Sequence, residues 1–289
     1  MGTYLFKANG NFYEAITLDT TYTGNDSGLI YECTTGPVCK QVISSSVVVS
    51  DKYMYTCDRV GICTKTTTVK PGYYLLGAAT VVTDESYLTY SKLLKCDGNS
   101  LDVCEEISSF TENDNHFDAT NIENIITCPE TTACYSSAHG GTASVPKYYV
   151  DADDPEKIKN IITCNNAGCT SSPGSTLQGH AYISGTDLEK KTLIKYNASD
   201  NPPKFVTDDT LIDSDKYFID GTNPKNLISC TVSGGCFSGA PPIPSGSVML
   251  FKTDGVTAGN TITCTNEGCI SSKGKKIIIN KSKIINDNK

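Results

Sequence analysis

Cysteine is the potentially reactive residue type that stands out in this sequence, both by number and by placement. Of 289 residues, 14 are cysteines and only three are histidines. The cysteines form seven close pairs, with four to seven residues between partners: Cys33/Cys39, Cys57/Cys63, Cys96/Cys104, Cys128/Cys134, Cys164/Cys169, Cys230/Cys236 and Cys264/Cys269. Pairs of this kind either form disulfides or coordinate zinc.

Disulfides fit the spacing better than zinc does. The intervals are wider than the roughly two to four residues of a zinc knuckle. A four-thiolate site uses two pairs, so seven pairs would leave one over, and His116, His139 and His180 are too few to compensate. We therefore predict seven local disulfides, each closing a short hairpin turn within its own repeat. Such bonds persist in oxidising compartments, so we expect a secreted or cell-surface protein.

Three glycosylation sequons agree with an extracellular location. They begin at Asn25, Asn197 and Asn280. Each pattern is short and occurs often by chance, so it marks an acceptor site only where the asparagine is accessible.

The cysteine pairs recur at a near-constant interval. The gap between Cys164 and Cys230 is twice the usual one, and within it residues 193–196 resemble the segments that lead to those two cysteines. We interpret this gap as containing a repeat that has lost both cysteines together. Joint loss favours bonding within a repeat, because bonds between repeats would leave unpaired cysteines. The sequence then holds eight repeats with a mean period of about 33 residues.

Each repeat is predicted to contain three short strands. The first is aromatic, the second is aliphatic and ends in the first cysteine, and the third is rich in Ser, Thr and Val. β-Branched and aromatic runs bounded by Gly, Pro and Asn are typical of strands. The predicted first strands contain Phe12, Tyr53, Tyr73, Tyr148, Tyr182 and Tyr217.

The predicted fold is therefore all-β, a disulfide-stapled β-solenoid of about eight units. A β-propeller is the alternative, although a period of about 33 residues is short for a four-stranded blade. We expect a single repeat array over residues 1–289, in which residues 273–289 form a flexible basic tail.

Charge and hydropathy exclude two classes of function. The net charge of −8 and pI near 4.9 disfavour binding to nucleic acid, because an acidic surface repels phosphates. No apolar run approaches the roughly 18 to 20 residues that span a bilayer, so we predict no membrane span in this chain.

Acidic clusters are the main candidates for catalysis. They lie at Asp151/Asp153/Asp154/Glu156, at Asp208/Asp209 and at Asp213/Asp215. Paired acids act on polysaccharides in β-helix enzymes, but aspartate is also common in turns for backbone reasons. We interpret these acids as solvated turn residues and predict no catalytic, metal or cofactor site and no enzyme activity.

Tyrosines are the candidates for binding by composition, since the chain has 16 of them and no tryptophan. Adjacent residues of a strand point to opposite faces, so one aromatic of each pair could pack inward while the other faces a partner. The alternative is that both faces are covered. The predicted contact residues are Tyr73, Tyr74, Tyr148, Tyr149, Tyr182 and Tyr217.

The repeat as a whole resembles the repeats of scaffoldins from anaerobic gut fungi. Clear instances are residues 73–75 with residues 93–98, and residues 160–164 with residues 168–172. The resemblance extends from about Phe12 to Ser272, and it is weakest in the cysteine-free repeat and around Cys57. It implies a noncatalytic, cohesin-like scaffold that binds the dockerin domains of cellulases and hemicellulases in an extracellular cellulosome. A glycan-binding adhesin and a polysaccharide-cleaving β-helix enzyme remain alternatives.

Overall fold

The chain is described by a computed structural model that is all-β. Its described residues are 2–9, 12–18, 27–33, 39–43, 46–50, 53–66, 68–81, 88–112, 114–152, 160–186, 192–208, 216–241, 249–252, 260–265 and 267–273. Within these ranges there are β-strands, one 3-10 turn at Leu101–Val103 and no α-helix. The prediction of an all-β, disulfide-rich protein is confirmed.

The strands follow the predicted repeats. The first four repeats contain β1 (Gly2–Asn9), β2 (Phe12–Thr17), β3 (Gly28–Cys33), β4 (Cys39–Gln41), β5 (Val47–Ser50), β6 (Tyr53–Cys57), β7 (Ile62–Thr66), β8 (Gly72–Leu75), β9 (Thr80–Val81), β10 (Leu88–Thr89), β11 (Leu93–Cys96), β12 (Cys104–Ile107), β13 (Asp114–Phe117), β14 (Asn124–Glu130) and β15 (Ala133–Ala138). The last four contain β16 (Lys147–Val150), β17 (Asn160–Asn165), β18 (Gly168–Pro173), β19 (His180–Ile183), β20 (Leu193–Asn197), β21 (Lys204–Asp208), β22 (Lys216–Asp220), β23 (Leu227–Thr231), β24 (Gly235–Gly239), β25 (Met249–Lys252), β26 (Asn260–Thr265) and β27 (Gly268–Lys273).

Each repeat is built around three adjacent antiparallel strands. The middle strand carries the first cysteine and pairs with the first strand on one side and the third on the other, as in β8–β11–β12 and β13–β14–β15. Repeats 1 and 2 join into one sheet through β3 and β7, and repeats 6 and 7 join through a parallel pairing of β19 with β22. The described strands form several small sheets rather than one continuous ladder, so the solenoid stays a prediction.

Two predicted first strands are wrong. In repeat 1 the strand beside the cysteine strand β3 is β1, and the segment with Phe12 forms β2 at the outer edge. In repeat 2 the aromatic segment with Tyr53 is the middle strand β6, and Val47–Ser50 is the first strand. In both cases the aromatic residues correctly indicate a strand but not its place in the repeat, because β-propensity does not specify which strands become neighbours.

The described residues belong to two compact lobes, Met1–Ser172 and Pro173–Lys289. The repeat pattern continues in both, although the sequence analysis expects a single array. Of the predicted basic tail, residues 274–289 lie outside the described residues.

Within each lobe the core lies between the sheets of successive repeats. Tyr74 of repeat 3 packs in a cluster with Met54 of repeat 2, whereas Tyr73 packs with Ile126 of repeat 4. In the C-terminal lobe, Ile219 of repeat 7 likewise packs with Ile262 of repeat 8. A sheet covered on both faces buries adjacent residues of one strand, and each large apolar side chain buried there contributes about 1.5–3 kcal/mol.

Backbone hydrogen bonds at the end of the first strand tie some sheets to the sheet of the preceding repeat. The Ala119 N–H donates to the Tyr73 carbonyl over 2.8 Å, and the Gly221 N–H donates to the Ala181 carbonyl over 2.9 Å. These bonds align the first strand of repeat 4 in parallel with that of repeat 3, and the first strand of repeat 7 in parallel with that of repeat 6.

Candidate functional site

All fourteen cysteines are bonded as seven disulfides, with Cα atoms 3.8–4.1 Å apart. The bonds join the partners that the spacing predicts: Cys33–Cys39, Cys57–Cys63, Cys96–Cys104, Cys128–Cys134, Cys164–Cys169, Cys230–Cys236 and Cys264–Cys269. Each closed loop is short, so one bond contributes only about 2 kcal/mol by chain entropy. The cysteines therefore hold hairpin ends together and supply no thiol for chemistry.

Cys63 and Cys134 also connect neighbouring repeats, through their backbone groups. Cys63 lies opposite its bonded partner on one side of β7 and opposite Gly28 of repeat 1 on the other. The Cys134 N–H donates to the Tyr90 carbonyl over 2.8 Å, and its carbonyl accepts from the Tyr90 N–H over 2.7 Å. Both disulfides close their own hairpins as predicted, while the backbone of the second cysteine pairs with the neighbouring repeat. The third strand lies at the edge of its own repeat, and its outer backbone groups pair with the preceding repeat.

The same two cysteines are core residues as well as staples. Cys63 and Cys134 are both 0% exposed. Cys63 packs in the cluster of Leu5 and Ile30 from repeat 1, and Cys134 packs in the cluster of Tyr90. The spacing that predicts the bonds carries no information on this packing, because the partners come from another repeat.

The tyrosines predicted to bind a partner are mostly buried. Tyr73, Tyr74, Tyr149 and Tyr182 are only 3–4% exposed, so both members of the Tyr73–Tyr74 pair are covered, as the alternative interpretation expects. The reason is that the sheets of repeats 2 and 4 cover the two faces of the strand that carries Tyr73 and Tyr74. Tyr148 and Tyr217 are half-buried and remain partly accessible.

The buried tyrosine hydroxyls are used internally. The hydroxyl of Tyr74 donates to the Lys70 carbonyl and accepts from the Lys70 N–H, each over 2.8 Å. The hydroxyl of Tyr182 accepts from the Ser175 N–H over 2.6 Å. Burial raises the pKa of Tyr149 to about 12. These side chains anchor loops to the core and are poorly placed to contact a partner.

Three aspartates follow first strands and are buried, although the sequence analysis describes Asp151 as a solvated turn residue. Asp118, Asp151 and Asp220 are 5–7% exposed. Each accepts a hydrogen bond from a serine on the third strand of its own repeat: Ser136 to Asp118, Ser171 to Asp151 and Ser238 to Asp220. We call these contacts the Asp–Ser clasps.

The clasps also organise the turn that follows. The Asp118 carboxylate accepts from the Thr120 N–H over 2.9 Å, and the Asp220 carboxylate accepts from the Thr222 N–H over 2.8 Å. Buried carboxylates need such donors, because an unpaired buried charge is costly. The Asp118, Asp151 and Asp220 carboxylates thus have a structural role. The sequence signal for this role is an aspartate followed by Ala or Gly at the end of the first strand, and it was not recognised from the sequence alone.

The remaining acids give no convergent pair among the described residues. Asp208 forms an ion pair with Lys195 on the adjacent strand. Asp153, Asp154, Glu156, Asp209, Asp213 and Asp215 lie outside the described residues.

All three histidines are buried, at 5–9% exposure. The His116 ring stacks on Tyr73 with centroids 4.1 Å apart, and burial lowers its pKa to about 3. His139 Nδ1 accepts from the Gly141 N–H over 2.9 Å. His180 Nδ1 lies 2.8 Å from the Ser175 hydroxyl, and burial lowers its pKa.

One histidine lies beside a disulfide in a cluster of ligand-type atoms. His139, Cys164 and Cys169 place their ligand atoms within 4.8 Å of one another. A metal binds the thiolate form of cysteine. Because the two sulfurs are bonded to each other, this cluster offers a metal no thiolate.

The accessible feature that recurs is the residue directly after the second cysteine. Both cysteines are buried in four of the seven pairs, and there strand alternation turns the next residue outward. We call these positions the outer row: Lys40, Thr64, Glu105, Tyr135, Thr170, Phe237 and Ile270, with Val206 in the cysteine-free repeat. Six pair directly with the residue before the first cysteine, as Ser229 with Phe237 and Thr263 with Ile270.

The outer row changes character along the chain. Its members in the N-terminal lobe are mostly polar or charged, whereas those in the C-terminal lobe are Val206, Phe237 and Ile270. Phe237 is 54% exposed and Ile270 is 65% exposed. Half-buried Tyr217 lies in the same cross-strand row as Phe237, through Ser229. Large apolar side chains at this exposure are typical of contact sites.

One sequon lies within the described residues. Asn197 is partly exposed at the end of β20, and its side-chain amide donates to Asp200 over 2.8 Å. Asn25 and Asn280 lie outside the described residues.

Comparisons with known proteins do not connect the chain to a family. No protein-family description matches it, and no curated protein matches its sequence. Among solved structures, a streptogramin B lyase aligns with 84% of this chain and 96% of its own length, at 10% identity and a TM-score of 0.15. A similarity this weak supports no conclusion. Among the described residues, no helix has the length and apolar character needed to cross a membrane.

Proposed function

We propose that this protein is a noncatalytic extracellular scaffold that binds dockerin-bearing plant-cell-wall-degrading enzymes through its outer row. The observation that carries the proposal is the contrast between a constant frame and a varying outer residue. Every disulfide-bonded repeat holds its third strand with the same kind of staple, while the residue after the second cysteine ranges from Lys40 and Glu105 to Phe237 and Ile270. Repeat proteins with a fixed frame and variable surface positions are typically binding proteins.

The hydrogen bonding of the buried aspartates supports a binding function over a catalytic one. The buried carboxylates of Asp118, Asp151 and Asp220 are held by serine hydroxyls and turn N–H groups. A general acid or base must instead point to a space that a substrate can enter. The frame uses these groups to fix its turns, which leaves the surface to provide function.

The apolar part of the outer row supports a protein partner. Phe237 and Ile270 are large, exposed and fixed on a stapled hairpin. Rigid aromatic and aliphatic anchors lose little conformational entropy on binding and often dominate the energy of interfaces. Because the overall charge is −8, basic partners should associate faster at low salt.

The experiment compares two classes of ligand on the same immobilised protein. One arm presents a purified dockerin-bearing fungal enzyme, with and without a calcium chelator. The other measures retention on insoluble cellulose and xylan, together with product release from pectin, xylan and glucans. We expect saturable enzyme binding that survives the chelator, with no product release. Strong retention on polysaccharide without enzyme binding would instead identify a glycan-binding adhesin, and product release would identify an enzyme.

A further inference from the structure

A groove in the C-terminal lobe crosses three successive repeats. It has a cavity volume of about 730 Å³. Leu177 and His180 form one wall, Pro224 lies between, and Thr265, Glu267 and Ile270 of the last hairpin contribute the other. A volume of this size falls within the range of roughly 300–1,000 Å³ that ligand sites occupy.

The base of the groove is fixed by short contacts between repeats. The Cys269 N–H donates to the Pro224 carbonyl over 2.7 Å, which ties the hairpin of repeat 8 to the connection of repeat 7. The disulfide from Cys264 to Cys269 holds the same hairpin from within. The His180 ring is oriented by the Ser175 hydroxyl. Little reorganisation is therefore needed before a ligand enters.

The groove is open because of one difference between repeats. Pro224 in repeat 7 stands where repeat 4 has Ile122, four residues after the clasp aspartate in each case. A Cβ placed on Gly168 would lie 3.3 Å from the Cβ of Ile122, so the isoleucine side chain packs over that glycine. A Cβ on Gly268 would instead meet only the Pro224 backbone, at 3.4 Å from its carbonyl oxygen. The space over Gly268 is thus available to a ligand.

The chemistry of the walls selects the ligand. Leu177 and Ile270 are 67% and 65% exposed, so both offer apolar surface that a ligand would bury. Glu267 is the charged group on the described walls, where there is no lysine, arginine, tyrosine or phenylalanine. Sugars bind proteins by stacking on aromatic rings and by many polar contacts, and a carboxylate repels acidic polysaccharides. The lining also includes polar residues such as Gln178 and Thr265, and without a tyrosine or phenylalanine ring it fits a ligand that combines apolar side chains, hydrogen-bonding groups and a positive charge.

We propose that this groove binds an extended peptide segment of a partner protein, with an aliphatic side chain between Leu177 and Ile270 and a lysine or arginine beside Glu267. The proposal rests on the proposed function, because it assumes a protein partner, and it assigns that partner's contact chemistry. Charge complementarity carries the choice of a cation. Apolar contact supplies the affinity, since an exposed ion pair alone contributes little.

The test uses two fluorescein-labelled peptides with blocked ends, Ser-Leu-Lys-Leu-Ser and the same peptide with Glu in place of Lys. Binding to the full chain is measured by anisotropy at low salt. The Lys peptide should bind at least about five-fold more tightly than the Glu peptide. Glu267→Gln should weaken the Lys peptide by about two- to five-fold. Ile270→Ser should weaken both peptides by about ten-fold or more, because the apolar contact is lost.

Ile122→Ser is the control, since Ile122 is 60% exposed, similar to Ile270, and lies outside the groove, in the N-terminal lobe. It should leave peptide binding unchanged, and circular dichroism should show every variant folded. Equal affinity for the two peptides, unchanged affinity in Ile270→Ser, no binding at millimolar protein, or displacement of the Lys peptide by xylohexaose would each overturn the proposal. Dockerin binding is measured on the same samples, so that a failed groove with intact dockerin binding is distinguished from failure of the proposed function.

Discussion

Tyr196 and Phe205 lie directly opposite each other on β20 and β21, with their ring centroids 5.3 Å apart and the rings inclined at 65°. This register position is the one that bonded cysteines occupy in repeats 1, 2, 3, 7 and 8. An edge-to-face aromatic pair therefore stands where the other repeats have a disulfide. The cysteine-free repeat keeps its hairpin closed by noncovalent contact.

Removing either ring should lower the free energy of unfolding, because the pair takes the place of a disulfide. Phe205 is 3% exposed and also meets Tyr182 edge-on, so we expect Phe205→Ala to cost about 3–5 kcal/mol. A double-mutant cycle with Tyr196→Ala should give a coupling energy of about 0.5–1.5 kcal/mol, measured by urea unfolding. A coupling energy of zero would mean that the two rings do not replace the staple.

Removing a disulfide should cost less than removing a core ring. Cys164→Ala with Cys169→Ala opens a loop with a sequence separation of five residues, so the loss should be about 2 kcal/mol. Alanine avoids burying a new hydroxyl at Cys164, which is fully buried. Circular dichroism should show a folded chain, and unfolding of the whole protein would mean that the bond clamps more than its own hairpin.

The Asp–Ser clasps should contribute measurably to stability. Asp220→Ala leaves the hydroxyl of Ser238 and the N–H of Thr222 without their acceptor. A hydrogen bond to a charged group contributes about 1.5–3 kcal/mol, and both donors lie on exposed residues that water can reach, so we expect a loss of about 2–3 kcal/mol in urea unfolding. Asp97→Ala is the control, because that side chain is 70% exposed, and it should change stability by less than about 0.5 kcal/mol. Equal losses for the two variants would show that the clasp is not a stabilising contact.

Burial of His116 should make stability depend on acidity. Burial lowers the folded-state pKa of His116 from 6.5 to about 3, so between these values the unfolded chain binds more protons than the folded chain. The contribution of His116 to the free energy of unfolding is complete above about pH 6.5 and decreases as the pH falls towards 3. The slope should approach about 1.4 kcal/mol per pH unit.

His116→Phe removes the titrating group and can keep the stack on Tyr73. Unfolding free energies measured from pH 4 to pH 7 should therefore fall less steeply in the variant than in the native chain. Parallel curves for the two proteins would show that His116 does not set the acid sensitivity.

The sequence predicts the disulfide pairing and the repeat because both follow from spacing. Cys128 and Cys134 are near neighbours, so hairpin geometry alone brings them together, but the pairing of Cys134 with Tyr90 depends on a different repeat. The sequence also does not predict which aromatic residues are exposed. Tyr73 and Tyr74 alternate as expected, but their burial depends on the sheets of repeats 2 and 4, which are distant in sequence. The abundance of tyrosine suggests binding residues that are in fact buried. The alternation of side chains along a strand indicates that Phe237, directly after the buried Cys236, is exposed.

The function proposed for this fold depends on whether the outer row makes the contact. Phe237→Asp places a charge on an outer-row residue that is 54% exposed, and Val232→Asp makes the same change at a residue 56% exposed in the turn of the same repeat. The two variants differ in position but not in exposure or charge. A general effect of added negative charge would therefore appear in both.

The most direct measurement is a calorimetric titration of a purified fungal dockerin domain into the native protein and these two variants, with a chelator present. We expect saturable heat for the native protein and for Val232→Asp, and affinity weakened by about ten-fold or more at the affected site in Phe237→Asp. Absence of heat at high micromolar dockerin, together with retention of the protein on insoluble cellulose or xylan, would contradict the scaffold account.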